Sequence, residues 1–205
     1  MGLTIHYEGR FNPDCSLQQM VDELLDIAKI HHWTYDIFET NFPMKNGNFV
    51  ATDKYDYDTE NIYGIAIGPP DSEGLYFTFL SNGYTSMPTS LEFWGKETNR
   101  ERREYVFGSF TKTQFAGAKM HQAIIHLFRY ITQKYYLEFK MSDETGYWKH
   151  NDEKKLNEAF SYSNRIIDAL QDRLENTPKA SGEDLIAFIN RIAEETKKGL
   201  DEGEK

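Results

Sequence analysis

The 205-residue chain carries 33 acidic against 23 basic side chains, a formal net charge of -10, which repels phosphate backbones and sets nucleic acid aside as a general ligand. Its 39% hydrophobic and 15% aromatic content is that of a globular chain rather than a disordered one, and the length suffices to bury a sizeable core. The single cysteine, Cys15, excludes an intramolecular disulfide, and no apolar run approaches the roughly 20 residues of a membrane span.

These features suit a reducing cytoplasm. The first residues, MGLTIHYEGR, have neither the basic start nor the apolar run of a signal peptide, and His6 stands where a myristoylation pattern wants Ser or Thr.

In chain order, residues 3–11 alternate with period two: Leu3, Ile5 and Tyr7 on one side, Thr4, His6, Glu8 and Arg10 on the other, a half-buried strand. Ser16 with Gln19 three residues on forms a capping box. It opens a helix whose apolar stripe is Leu17, Met20, Val21, Leu24 and Ala28, ending near His31 and His32, whose imidazoles suit a negative helix terminus. Residues 33–42 read as a second strand stopped by Pro43. Asp56, Asp58 and Glu60 imitate the start of a calcium loop, but Asn61 replaces the sixth-position Gly and Ile67 the twelfth-position Glu; a solvated loop is expected.

Strands follow at 62–67 and 75–80. Asn82-Gly83 then predicts a type I′ hairpin turn, with Tyr84–Ser86 and 91–94 forming one strand interrupted at Pro88. The cluster Arg100, Arg102 and Arg103, interleaved with Glu101 and Glu104, reads as a solvated loop, and residues 104–114 as a long strand. The helix stripe Met120, Ile124, Leu127, Phe128, Ile131 and Tyr135 is core. A strand at 137–141 runs into the DETGYW turn, where Asp143 is expected to cap and Gly146 to take an unusual φ. Beyond it, Leu156, Phe160, Ser163, Ile167, Leu170 and Leu174 make a narrow helical seam. Thr177-Pro178 stops that helix, and Ser181 with Asp184 starts a second one carrying Leu185, Ile189 and Ile192, with Gly199 beyond its end.

The candidate ligand-binding residues are Lys112, Gln114, His121, Asp143 and Glu144. Gly117 precedes the first turn of a helix, whose unpaired amides are donors at its positive end, and such a strand-to-helix junction can hold a carboxylate or phosphate. Lys112 and Gln114 share a strand face beside it, and His121 lies one turn in. Asp143 and Glu144 are adjacent, so their side chains diverge; either needs a distant carboxylate to make an acid–base pair. His6 and Glu8 share a strand face, but a metal site needs a third ligand from afar, His121 or His126, and no HExxH or HxH is present. No metal or cofactor is expected. Cys15 has no identifiable catalytic partner.

The combination of KTQFAG at 112–117, His121 four residues on, a helix ended by Tyr135 and the pattern Asp143-Glu144-x-x-Tyr147-Trp148 resembles a family of bacterial proteins with no established activity. The resemblance covers roughly residues 3–150 and implies no residue role. The order strand, helix, several strands, helix, strand also looks like the arrangement of TATA-binding-protein-like folds, a likeness of arrangement whose DNA-binding role the acidic charge opposes.

The expected fold is α+β: one antiparallel or mixed sheet of about six or seven strands, two helices on one face and a C-terminal helical hairpin. Residues 1–150 form the sheet domain, 151–199 the appended hairpin and 200–205 a charged tail. The expected function is a cytoplasmic binding or protein-interaction domain with a basic protein partner, in the manner of an acidic adaptor or immunity protein. Neither nucleic acid nor membrane is a partner, and the C-terminal helices offer a homodimer contact. The alternative is a hydrolase-like enzyme or small-anion-binding protein using the junction near Lys112 and His121.

Overall fold

The computed structural model describes residues 3–51 and 53–203. Its elements in chain order are β1 (Thr4–Phe11), α1 (Leu17–Ile30), β2 (Thr34–Ile37), β3 (Met44–Lys45), β4 (Asn48–Phe49), β5 (Tyr63–Gly68), β6 (Leu75–Phe79), α2 (Pro88–Trp94), α3 (Arg100–Arg103), a 3-10 turn (Glu104–Val106), β7 (Ser109–Lys112), α4 (Gly117–Tyr135), β8 (Tyr136–Asp143), α5 (Tyr147–His150), α6 (Glu153–Asn176) and α7 (Leu185–Gly203).

The α+β class holds, but the expected single sheet does not. The strands form three small antiparallel sheets: β7-β1-β8, β2-β5-β6 and the pair β3-β4. β1 shows why the larger two stay separate. Its register against β8 slips between Arg10 and Phe11, and a bulge of this kind bends a strand and ends its regular pairing. Residues 83–85 then splice the sheets together: Phe11 N donates to Gly83 O (2.8 Å) and Thr85 N to Gly9 O (2.9 Å), while Leu80 N donates to Tyr84 O (2.8 Å).

That splice is a three-residue loop, not the expected type I′ turn. Gly83 N donates to Leu80 O (2.9 Å); Gly83 takes φ +81 while Asn82 keeps negative φ, and type I′ requires positive φ at both central residues. A Cβ on Gly83 would lie 2.3 Å from Phe49 Cζ, so the position also needs glycine for space. Asn82 is fully buried and its Nδ2 donates to the carbonyls of Asp53 (3.2 Å), Lys54 (2.9 Å) and Asp56 (3.0 Å). It anchors the 53–58 loop. Asn82→Ala is expected to destabilise the protein by about 2 kcal/mol, the cost of stranding buried partners, read by urea unfolding.

One hydrophobic core runs under both larger sheets. α1 contributes Leu17, Met20, Val21, Leu24 and Ala28, α4 contributes Ile124, Ile125, Phe128, Ile131 and Tyr135, and the sheets contribute Ile5, Phe11, Ile65, Phe77 and Phe79. The Ser16 cap is as expected, its side chain accepting from Gln19 N (3.2 Å). A second, smaller cluster of Tyr57, Leu80, Leu91, Val106 and Phe107 supports a lobe formed by α2, α3 and the 53–62 loop.

This lobe overturns three expectations. Residues 91–94 belong to α2, not a strand: Pro88 is its first residue behind the extended Met87, a position where proline's fixed φ favours a helix. Arg100–Arg103 is a helical turn capped by Asn99, and Arg103 is committed to packing, donating to Tyr57 OH (2.8 Å) and Tyr55 O (2.6 Å). The long strand expected at 104–114 shrinks to β7, because Val106 and Phe107 are both buried and break the alternation a strand needs.

The hairpin forms as expected but is longer. α6 packs on α4 and α5, and α7 packs on α6. α7 continues through Gly199 to Gly203, so four residues of the expected tail, 200–203, are helical; residues 204 and 205 lie outside the described ones. Among the described residues no helix is long and apolar enough to cross a membrane.

Candidate functional site

The five sequence candidates do not gather at one place. Lys112 is exposed at the end of β7, with its amide bound to Glu73 Oε2 (2.9 Å). Gln114 is buried in the turn before α4. Glu144 is exposed and its Oε2 accepts from Thr4 N (3.0 Å). Only His121 and Asp143 meet.

They meet in the interior. His121 is fully buried and the Asp143 side chain is 1% exposed, with Nε2 to Oδ1 at 3.4 Å. On its other side the ring takes Thr113, also fully buried, Oγ1 to Nδ1 at 2.7 Å. The Thr113 hydroxyl has one proton and two acceptors, His121 Nδ1 and Leu3 O (3.1 Å). The Asp143 carboxylate can only accept, so the ring proton sits on Nε2 facing it and Nδ1 accepts from the Thr113 hydroxyl, an assignment made from the network.

Asp143 spends its remaining capacity on its own turn. Oδ1 accepts from the amides of Thr145 (3.1 Å) and Tyr147 (3.1 Å) and from the Thr145 hydroxyl, and Oδ2 accepts from Trp148 N (2.8 Å). Gly146 takes φ +71, as the turn requires. Burial pushes the Asp143 carboxyl up, but hydrogen bonds from His121, Thr145 and the amides of Trp148 and Tyr147 outweigh it and hold the group well below the usual carboxylate range. The Phe160 ring stands edge-on to His121 at 5.5 Å. The arrangement ties β7, α4, β8 and α5 together, and its ring nitrogens and carboxylate oxygens are all taken. Chemically it is a lock, and His121 turns inward rather than toward the amides at the start of α4.

An open site lies on the outward face of the β7-β1-β8 sheet. The alternation seen in residues 3–11 puts His6 and Glu8 there, and register brings Phe110 and Ser142 beside His6 and Lys140 beside Glu8. Trp94 from the end of α2 and Tyr105 from the 3-10 turn form one wall, ring centroids 5.4 Å apart. The cleft has a volume of about 530 Å³. A second cleft of about 210 Å³, lined by Lys54, Tyr84, Phe107 and Glu138, shares Glu8 and Lys140 with it. Together they make one trough along β1 from His6 to Gly9, about 10 Å at the strand rise.

The trough is aromatic and slightly acidic. Tyr105 is 63% and Phe110 45% exposed, an unusual outlay of apolar surface on a polar sheet face. Lys140 pairs with Glu8 (3.1 Å) and Lys54 with Glu104 (2.6 Å), leaving Glu138 without an ion pair among the described residues.

Sequence reasoning placed His6 and Glu8 on one strand face but missed the trough. Reading 91–94 as a strand hid Trp94, and reading 104–114 as one strand hid the turn that raises Tyr105. Among the described residues no three His, Cys, Asp or Glu side chains group as a metal site. No family model matches the chain, and no curated protein or solved structure matches it significantly.

Proposed function

We propose that the protein is a protein-interaction module whose trough takes an extended, basic segment of a partner. The observation that carries this reading is that the two clefts share Glu8 and Lys140 and so follow β1 for about 10 Å, room for about three or four residues of an extended chain. Its chemistry supports the same class. Aromatic side chains supply contact area at low entropic cost and dominate interface energetics. Glu138, with no ion pair among the described residues, together with the chain's overall charge of -10, steers a basic partner. The buried His121–Asp143 pair offers no free face to a substrate, so no observation favours the enzyme reading.

Peptide display on the intact protein tests this. Recovered peptides are expected to carry Lys or Arg near an aromatic or aliphatic residue and to bind more weakly as salt rises. Trp94→Ala is expected to lower their affinity at least about tenfold, the scale of an interface hot spot. An empty selection, or affinity indifferent to both Trp94→Ala and Glu138→Lys, contradicts the proposal.

A further inference from the structure

A second cavity, of about 600 Å³, lies between α6, α7 and the start of β1, and it has no part in the trough. Its walls are apolar, with Leu3, Ile166, Ile167, Leu170 and Ala193 foremost, and its volume falls in the roughly 300–1,000 Å³ range of small-molecule sites. Apolar walls alone do not name an occupant; the polar groups among them do.

The five polar side chains on the lining, Glu144, Tyr162, Ser163, Thr196 and Lys197, sort by whether they are already used. Thr196 donates to Ile192 O (2.7 Å), and Glu144 accepts from Thr4 N (3.0 Å). Ser163 is only 9% exposed yet its hydroxyl has no hydrogen-bond partner among the described residues, not even the carbonyl one turn back that a helical serine ordinarily takes. Lys197 lines the same cavity and has no ion pair among the described residues. The Ser163 oxygen is not sealed inside the protein but opens on the cavity, where a ligand's polar atom can reach it. The groups without a partner among the described residues are therefore the hydroxyls of Ser163 and Tyr162 and one cation, Lys197, set in an otherwise apolar cavity.

We propose that this cavity binds an anionic amphiphile, a medium-length alkyl chain bearing a carboxylate, with the chain on the isoleucine and leucine walls and the head group shared between Lys197 and the Ser163 hydroxyl. The Lys197 ammonium, with no ion pair among the described residues, selects the anion, while the Glu144 carboxylate on the same lining is held by the Thr4 amide. A second copy of the protein is the competing occupant, but the most exposed apolar side chains of α7, Leu185 and Ile186, lie outside the cavity lining, near the other end of the helix. The proposal is independent of the trough.

Titration calorimetry of the full chain with dodecanoate below its micelle concentration decides it. Saturable binding of one molecule per chain is expected, at least tenfold weaker in Ala193→Trp, which fills the cavity from the exposed side of α7. Lys197→Gln is expected to weaken dodecanoate severalfold and leave dodecanol unchanged. Circular dichroism and a cooperative melt verify that each variant folds; should Ala193→Trp fail, Ser163→Leu fills the space from the opposite wall and gives the same reading. No saturable binding, equal affinity in the filled variants, or equal loss of dodecanoate and dodecanol in Lys197→Gln overturns the proposal. So does a concentration-dependent dimer, seen by sedimentation, that takes up no dodecanoate.

Discussion

Asp143→Asn is expected to lower stability by about 3 kcal/mol, the scale of breaking a buried charged hydrogen-bond network. The carboxylate is an acceptor at both oxygens, taking the His121 ring and the amides of Thr145 and Tyr147 on one and the amide of Trp148 on the other. An asparagine of the same shape must turn an NH2 toward one of those donors, leaving a donor facing a donor inside the protein. Glu144→Gln is the control one residue away. That side chain is exposed and serves only the Thr4 amide, so its loss should stay within about 0.5 kcal/mol. Urea unfolding of the pair measures the contrast, and equal effects would contradict the lock.

The same residue sets a pH dependence with a definite sign. Its carboxyl is held low in the folded protein and sits near 3.9 in an unfolded chain. Below that value the unfolded state binds the proton and the folded state does not, so stability rises with pH there. The contribution is complete above about pH 4 to 5 and is lost as the solution is acidified through the folded value. Wild type should therefore lose stability more steeply than Asp143→Asn below about pH 4.

Gly64→Ala is expected to cost at least about 3 kcal/mol or to abolish folding, a collision in the core rather than a surface substitution. Gly64 takes φ +116 in β5, and a Cβ there would lie 2.2 Å from Phe77 O, a backbone atom of β6 that cannot rotate away. Its amide and carbonyl are also committed, the amide to Glu39 O (2.8 Å) and the carbonyl to Phe38 N (2.9 Å). Relief requires separating β5 from β6. Gly47→Ala isolates the backbone part, since φ is +78 there with nothing within 4 Å of the added carbon; it should cost only the roughly 1–2 kcal/mol of a left-handed alanine. If the two substitutions cost the same, the β5–β6 register is wrong.

How much of this was legible depends on the range of the interaction that fixes each element. Local signals read correctly: the Ser16 cap, the stripes of α1 and α4, the Asp143 turn with its left-handed Gly146, and the seam of α6. Each is decided within a few residues by periodicity or a side chain bonding to nearby backbone. Errors came where alternation is shared by different structures. Residues 91–94 have the aromatic, alternating look of a strand, but Pro88 at a helix start decided for α2. Tyr105 and Phe107 fit a strand's period until Val106 also buried itself. Partition into separate sheets rests on the bulge at Arg10 and Phe11 and on the pairing of residues 83–85, contacts some 70 residues apart that no local pattern encodes. The trough went unread for the same reason, since its lining comes from six separated segments. His121 and Asp143, both candidates in the sequence, do meet, but in the buried interior and not in an open pocket.

The three tryptophans supply the most direct test of the trough. Trp94 lines it, whereas Trp33 and Trp148 pack against the main core. The measurement is a two-dimensional 1H–15N NMR titration of the intact protein with a Lys-rich peptide bearing an aromatic residue, reading the three indole N–H resonances. The account predicts that the Trp94 signal moves saturably while those of Trp33 and Trp148 hold still. A Trp94 signal that does not move, or movement at Trp33 or Trp148 alone, would contradict it.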